Sequence, residues 1–250
     1  MKPQRAGLVC AGGVSRTFVA RMPTLLASIS VIQASSLRVA RRIANALRAG
    51  EPAEHYSALA ACDAIWIVVP EALLDQVARE LAADARFKRT PVVVCGTSRE
   101  SSAMGALCAA SVDAVPPDER TLVAEGHSEA LRYVRRVAAA ENRKLVEMRP
   151  GSKALFQAGV HLSTHIALPW IAAAVESLRA AGFSRIEATR VVEDLGARTL
   201  RSYAKAGAKS WRPSAARELR RAIEAKLPDE RLSRLYREGT EQALQFFEET

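Results

Sequence analysis

The sequence predicts an α/β protein in two parts: a doubly wound, mainly parallel sheet, then an all-helical domain. Three observations carry this. Short apolar runs alternate with amphipathic helical stretches from Gly7 to about Met148. Beyond "RPGSKALF" only helical periodicity continues. And the first apolar run ends on a small-residue turn, Ala11-Gly12-Gly13, where a Rossmann-like fold places its glycines.

In order, the strand candidates are "GLVCA", "SISVIQA", "AIWIVVP", "PVVVCGT", "VDAVP", "TLVAEG" and "KLVEM". "AIWIVVP" is apolar throughout, as a central strand covered on both faces requires. A further strand is expected within "EPAEHYSALAACD", which has no clear period. "SSLRVARRIANAL", "EALLDQVARELAADA" and "HSEALRYVRRVAAAE" space apolar residues by three and four, the period of a helix packed on a sheet. The remainder reads as helices over 152–181, 184–205, 214–226 and 229–248, punctuated by Gly182, Pro213 and Pro228. Ser184 and Glu187 have the spacing of a capping box. The expected domains are therefore 1–148 and 149–250.

The 250 residues suffice for one large domain or two ordinary ones, and 49% hydrophobic with 25% charged residues is globular composition. No unbroken apolar run approaches the ~20 residues of a membrane span. "MKPQR" enters the first strand too early for a signal peptide, so a cytoplasmic protein without membrane partners is expected. Cys10, Cys62, Cys95 and Cys108 form no Cys-x-x-Cys pair, which argues against a zinc site or disulfide framework. The net charge of +9 comes from arginines interleaved with glutamates, as in "ARELRRAIEAK". That is the pattern of solvated helix faces, and an anionic cofactor accounts for the excess as well as nucleic acid does. No nucleic-acid partner is expected.

A dinucleotide-binding turn reads Gly-x-Gly-x-x-Gly between a strand and a helix. With its middle glycine on Gly12, Cys10 stands in the first glycine position and Ser15 in the third. Gly12 permits close approach of a phosphate, Gly13 adds backbone freedom, and Ser15 is small and offers a hydroxyl. The alternative is an ordinary tight turn. Near the end of the second strand an NAD site needs Asp or Glu for the ribose hydroxyl. "IQASSLRVARR" instead offers Ser35, Ser36 and Arg38, donors suited to a 2′-phosphate, so the expected cofactor is NADP rather than NAD. Arg41 and Arg42 read as solvated surface. Pro70 and Thr97, at later strand ends, would flank the ribose and nicotinamide; Thr97 and Ser98 are equally suited to capping the next helix.

"PGSKALFQAGVHLSTHIALPW" places Lys153, Gln157, His161, Thr164 and His165 within a third of a helix circumference. Hydride chemistry needs a positioned substrate and one group that exchanges a proton, a part open to Lys153 or either histidine. Lys153 is equally readable as surface charge. "HLSTH" lacks a glutamate and a third ligand, so no metal is expected. Pro169 removes the hydrogen bond to the His165 carbonyl and should disturb the helix there.

Taken in order, "VCAGGVS", "ASSLRVARRIA", "DAIWIVVP", "VVVCGTS" and "PGSKALFQAGVHLSTHIALP" give the chain a likeness. It resembles bacterial NAD(P)-binding proteins that join a Rossmann domain to a helical domain of uncharacterised function. These are relatives of the β-hydroxyacid dehydrogenases, pyrroline-carboxylate reductases and prephenate dehydrogenases. The resemblance implies a dimer formed through the helical domain and a catalytic role for Lys153, with Gln157 replacing an asparagine four residues on. "WRPSAARE" resembles the family's Gly-Pro loop at the substrate cleft. The expectation is an NADP-dependent oxidoreductase acting on a small carbonyl, hydroxy-acid or imine substrate in the interdomain cleft. A non-catalytic nucleotide sensor or partner-binding dimer on the same fold is the alternative.

Overall fold

The computed structural model describes residues 5–14, 17–117, 119–210, 220, 222–224 and 226–248. Its strands are β1 (Ala6–Cys10), β2 (Ile29–Ala34), β3 (Glu51–Ala53), β4 (Ala64–Val68), β5 (Val92–Cys95), β6 (Ala109–Ala114), β7 (Thr121–Gly126) and β8 (Lys144–Glu147). They form one sheet in the order β3-β2-β1-β4-β5-β6-β7-β8. All neighbours are parallel except β6 and β7. The strand hidden in "EPAEHYSALAACD" is β3, whose three residues are too few to show a period. The chain winds outward from β1 through β2 to β3, then restarts at β4 on the other side of β1. The carboxyl ends of β1 and β4 therefore flank a topological switch point, where open α/β sheets bind their ligands.

Helices α1 (Pro23–Ser28), α2 (Leu37–Leu47), α3 (Glu71–Ala82) and α4 (Ser128–Ala140) cover this sheet. Alternation along the strands divides the core in two. Leu8, Ile32, Trp66, Val93 and Val112 face α2 and α4, while Val9, Ile65, Ile67 and Val94 face α3. All five β4 residues are buried, as its apolar sequence predicts, and each large one contributes roughly 1.5–3 kcal/mol. Trp66 satisfies its indole N–H by donating to the Tyr133 hydroxyl at 3.1 Å.

The chain divides into two compact units, Met1–Ala158 and Gly159–Thr250. After β8 come α5 (Lys153–His161), a π-helical turn (Leu162–Ile166), α6 (Ala167–Ala180), α7 (Arg185–Ala206) and α8 (Glu230–Glu248). The wide turn precedes Pro169, which has no N–H for the His165 carbonyl; the backbone absorbs the missing bond there. The Ser184–Glu187 capping box starts α7. In the second unit α6 packs on α7 and α8, and the Trp170 ring lies where a side chain at Gly239 would stand. Most of the helix expected over 214–226, and all of "WRPSAARE", lie outside the described residues.

The helix Lys153–Ala180 is 28 residues long and, by length and composition, apolar enough to cross a membrane. Scattered polar residues such as Ser163, Thr164 and His165 break its apolar runs without making the whole hydrophilic, so a count of unbroken runs misses it.

Candidate functional site at the carboxyl edge of the sheet

β1 ends at Cys10 and the chain turns through Gly12 at φ +104 and Gly13 at φ +68, conformations that L side chains rarely adopt. Among the described residues nothing lies within 4 Å of where a Cβ would stand on either glycine. The substituted first position does not fill this space: Cys10 is buried, and its thiol donates to the Gln33 carbonyl at 3.7 Å. Burial pushes the Cys10 thiol up to about 12, partly offset by the Gly12 backbone N–H. Ser15 lies outside the described residues.

Among the described residues, no regular helix follows the turn directly. A 3₁₀ turn spans Phe18–Arg21, and α1 begins only at Pro23 and runs six residues. The proline is the reason: it disfavours helical geometry at Met22, which is extended at φ −120, and it occupies the first helical position itself.

Beside this turn, β2 ends and α2 starts. Ser36 caps α2, its hydroxyl oxygen accepting from the Val39 N–H at 3.3 Å. Ser35 and Arg38 are exposed on either side of the cap, and the first turn of α2 carries no acidic residue.

At the next strand ends, exposed Pro70 leads into α3, and Glu71 follows it. The Glu71 carboxylate accepts from the Ser98 hydroxyl at 2.5 Å and the Ser98 N–H at 3.2 Å. These bonds, the hydroxyl first, hold Glu71 below its usual carboxylate range. They tie the start of α3 to the loop after β5. Thr97 is buried in that second loop, its hydroxyl closing a local turn by accepting from the Arg99 N–H at 3.0 Å. Buried Glu125 braces the same loop by accepting from the Ser101 N–H at 2.6 Å and the Ser101 hydroxyl at 2.9 Å.

Lys153 is not surface charge: it is 0% exposed. Its ammonium donates to the Ser111 hydroxyl and lies 3.1 Å from Asp113 Oδ2. Asp113 Oδ2 receives no aligned hydrogen bond among the described residues, so this attraction is that of an ion pair. The Ser111 hydroxyl in turn donates to the Arg99 carbonyl at 3.4 Å, and Gln157 donates to the Thr97 carbonyl at 3.4 Å. Lys153 and Gln157 thus fasten the start of α5 to β6 and to the loop after β5. Buried Cys95 stands beside them; burial first and the Asp113 charge second raise its thiol well above the ordinary range.

His161 and His165 are exposed and stack on each other with ring centroids 5.0 Å apart. His165 also contacts the Thr164 hydroxyl at 3.0 Å. Among the described residues no cluster of three or more His, Cys, Asp or Glu is placed to hold a metal. Sequence reasoning missed Ser111, Asp113, Glu71 and Glu125. For the first two the signal is present: "ASVDA" puts polar residues at alternate positions of an otherwise apolar strand, on one face.

No family model and no curated protein matches the sequence. Solved structures do match the fold. An imine reductase from Myxococcus stipitatus, a variant in complex with NAD+, superposes with a TM-score of 0.70 at 14% identity over 99% of both chains. A protein from Thermotoga maritima gives 0.65 at 17% identity over 98% of both. Plasmodium falciparum pyrroline carboxylate reductase with NADP bound gives 0.57 at 10% over 98% of both. At these identities the likeness is one of fold: a Rossmann-like sheet followed by a helical region, the architecture that the sequence resemblance implied.

Proposed function

We propose that this protein is an NADP(H)-dependent oxidoreductase acting on a small carbonyl, hydroxy-acid or imine compound. The observation that carries the reading is the Gly12–Gly13 turn at the switch point, which keeps its positive φ angles and open space although Cys10 replaces the first glycine. Gly12 and Gly13 would take the diphosphate, and Ser35, Ser36 and Arg38 the 2′-phosphate, with Pro70 and Thr97 at the ribose and nicotinamide end. The fold shared with imine and pyrroline carboxylate reductases agrees with this. One of those structures holds NAD+ and another NADP, so the choice of NADP rests on the two serines and Arg38. Bound there, the cofactor supplies or accepts a hydride. The protein's part is positioning and proton exchange.

In this reading Lys153 is a positioning residue that fixes β6 and the loop after β5, and Gln157 assists it. His161 and His165, exposed on the polar stripe along with Thr164, are its groups able to exchange a proton with substrate. Nucleotide binding without turnover is the second reading. It is favoured by the burial of Lys153, which matches in spacing the catalytic lysine of β-hydroxyacid dehydrogenases. Titration of wild type and Arg38→Glu with NADPH and NADH tests the cofactor assignment. The variant should lose NADPH affinity at least ~tenfold more than NADH affinity, as loss of a charge-assisted pair implies; an unchanged preference defeats it. NADPH consumption across keto acids and cyclic imines separates the two readings.

We further propose a homodimer formed through the helical unit. Leu162, Leu168, Leu195 and Leu200 are all more than half exposed, as they would be on a face awaiting a second copy. Sedimentation of a single monomeric species across micromolar concentrations would refute it.

A further inference from the structure

At the opposite, amino-terminal edge of the sheet, Cys108 precedes β6 and His127 follows β7. Gly126 brings them together. At φ +143 it passes so close to the neighbouring strand that a Cβ would stand 2.4 Å from the Ala109 carbonyl oxygen. The His127 N–H donates to that same carbonyl at 2.8 Å, and its ring meets Cys108, with Sγ 3.2 Å from Nδ1. His127 also caps α4, Nδ1 accepting from the Glu129 N–H at 3.3 Å. An Nδ1 that accepts carries no proton, so the Cys108 thiol donates to it.

Three further features surround the sulfur. The Ala130 N–H in the first turn of α4 draws the thiol's pKa down, against the larger upward effect of burial and a smaller one from Glu129. Cys108 thus rests as a thiol and needs His127 to take its proton. A cavity of about 380 Å³ opens on the pair, lined by Lys88, Arg89, Leu107, Cys108, His127 and Glu129. Glu129 is exposed and lies 3.7 Å from Arg132, whereas Lys88 and Arg89 are exposed cations at the cavity wall.

We propose that Cys108 and His127 form a thiol-modification site that takes an anionic, carboxylate-bearing disulfide of low molecular weight. Cys108 passes its proton to His127 Nδ1, and the thiolate sulfur attacks one sulfur of the bound disulfide. The disulfide bond breaks as the new S–S bond forms, and the leaving thiolate takes a proton from the imidazolium. The products are a mixed disulfide on Cys108 and one free thiol. Lys88 and Arg89 attract the carboxylates. The site is independent of the cofactor edge and of the reading proposed for it.

Oxidised glutathione is the probe, with the full chain and peptide mass mapping. One adduct is expected, on Cys108 rather than Cys10, Cys62 or Cys95. His127→Asn keeps an N-cap acceptor for α4 but removes the base, and should slow modification at least about tenfold. Lys88→Ala/Arg89→Ala should slow oxidised glutathione about tenfold while leaving the neutral bis(2-hydroxyethyl) disulfide unaffected. An adduct on another cysteine, no adduct, or an undiminished rate in His127→Asn overturns the site. Equal effects of the charge variant on both disulfides overturn the anionic ligand.

Discussion

Replacing Asp113 with asparagine removes one charge from a pair whose other member cannot reach water. The Lys153 side chain is 0% exposed and the Asp113 side chain 17%. Breaking a buried pair costs about 3–5 kcal/mol, because the remaining ion stays desolvated. Asp113→Asn strands the fully buried ammonium, with only the Ser111 hydroxyl and the new amide oxygen to solvate it. Partial exposure at position 113 lets some water in, which puts the cost near the lower end, about 3 kcal/mol. Lys153→Met strands a carboxylate that water already touches, so its cost is smaller, about 2 kcal/mol. The double variant leaves no charge at all and should return to within ~1 kcal/mol of wild type. Urea denaturation followed by circular dichroism measures the cycle. For a chain of this size, about 3 kcal/mol also lowers the melting temperature by roughly 6–12 °C. The reasoning fails if the two single effects simply add, or if Lys153→Met proves the more damaging.

Three further outcomes follow from the same edge and its opposite. Ser36→Asp keeps a side-chain acceptor for the Val39 N–H, so the melting temperature should hold within a degree or two (under ~0.5 kcal/mol) while NADPH binding falls more than NADH binding; equal losses would count against a 2′-phosphate at α2. Glu71, whose folded-state pKa lies below its ordinary 4.5, ties the start of α3 to the loop after β5 above that pH and releases it as pH falls through the lowered value. The difference in urea midpoint between wild type and Glu71→Gln should therefore be largest near pH ~7 and close as pH falls through that lowered value; a gap that widens on acidification contradicts it. Gly126→Ala forces a Cβ to within 2.4 Å of the Ala109 carbonyl and should cost roughly 1–3 kcal/mol by thermal melting. An undisturbed melt would mean that β7 can draw away from β6 freely.

What the sequence makes legible is set by the range of the interactions involved. "AIWIVVP" announces a doubly covered strand because burial on both faces is written into consecutive residues. Pro169 announces a helix defect because its missing N–H acts four residues back. The start of α1 was equally available: Pro23 forbids a helix through Met22, and that local rule outranks the analogy with a dinucleotide-binding turn. Lys153 is different in kind. A helical wheel places it on a polar stripe, but whether that stripe faces water or the end of a strand depends on Ser111, 42 residues away. The stripe itself is not one environment. Lys153 is sealed against β6, Gln157 is half-buried, and His161 and His165 are exposed, with a π turn that begins after His161 and includes His165 shifting the register that the wheel assumes constant. A polar residue on a helix with apolar surroundings is therefore ambiguous until its partner is found, and a pair of polar residues two apart in an apolar strand is where to look. "ASVDA" is such a pair. Taken together with the lysine, it marks Lys153 as a residue that fastens α5 to β6 rather than one that meets water.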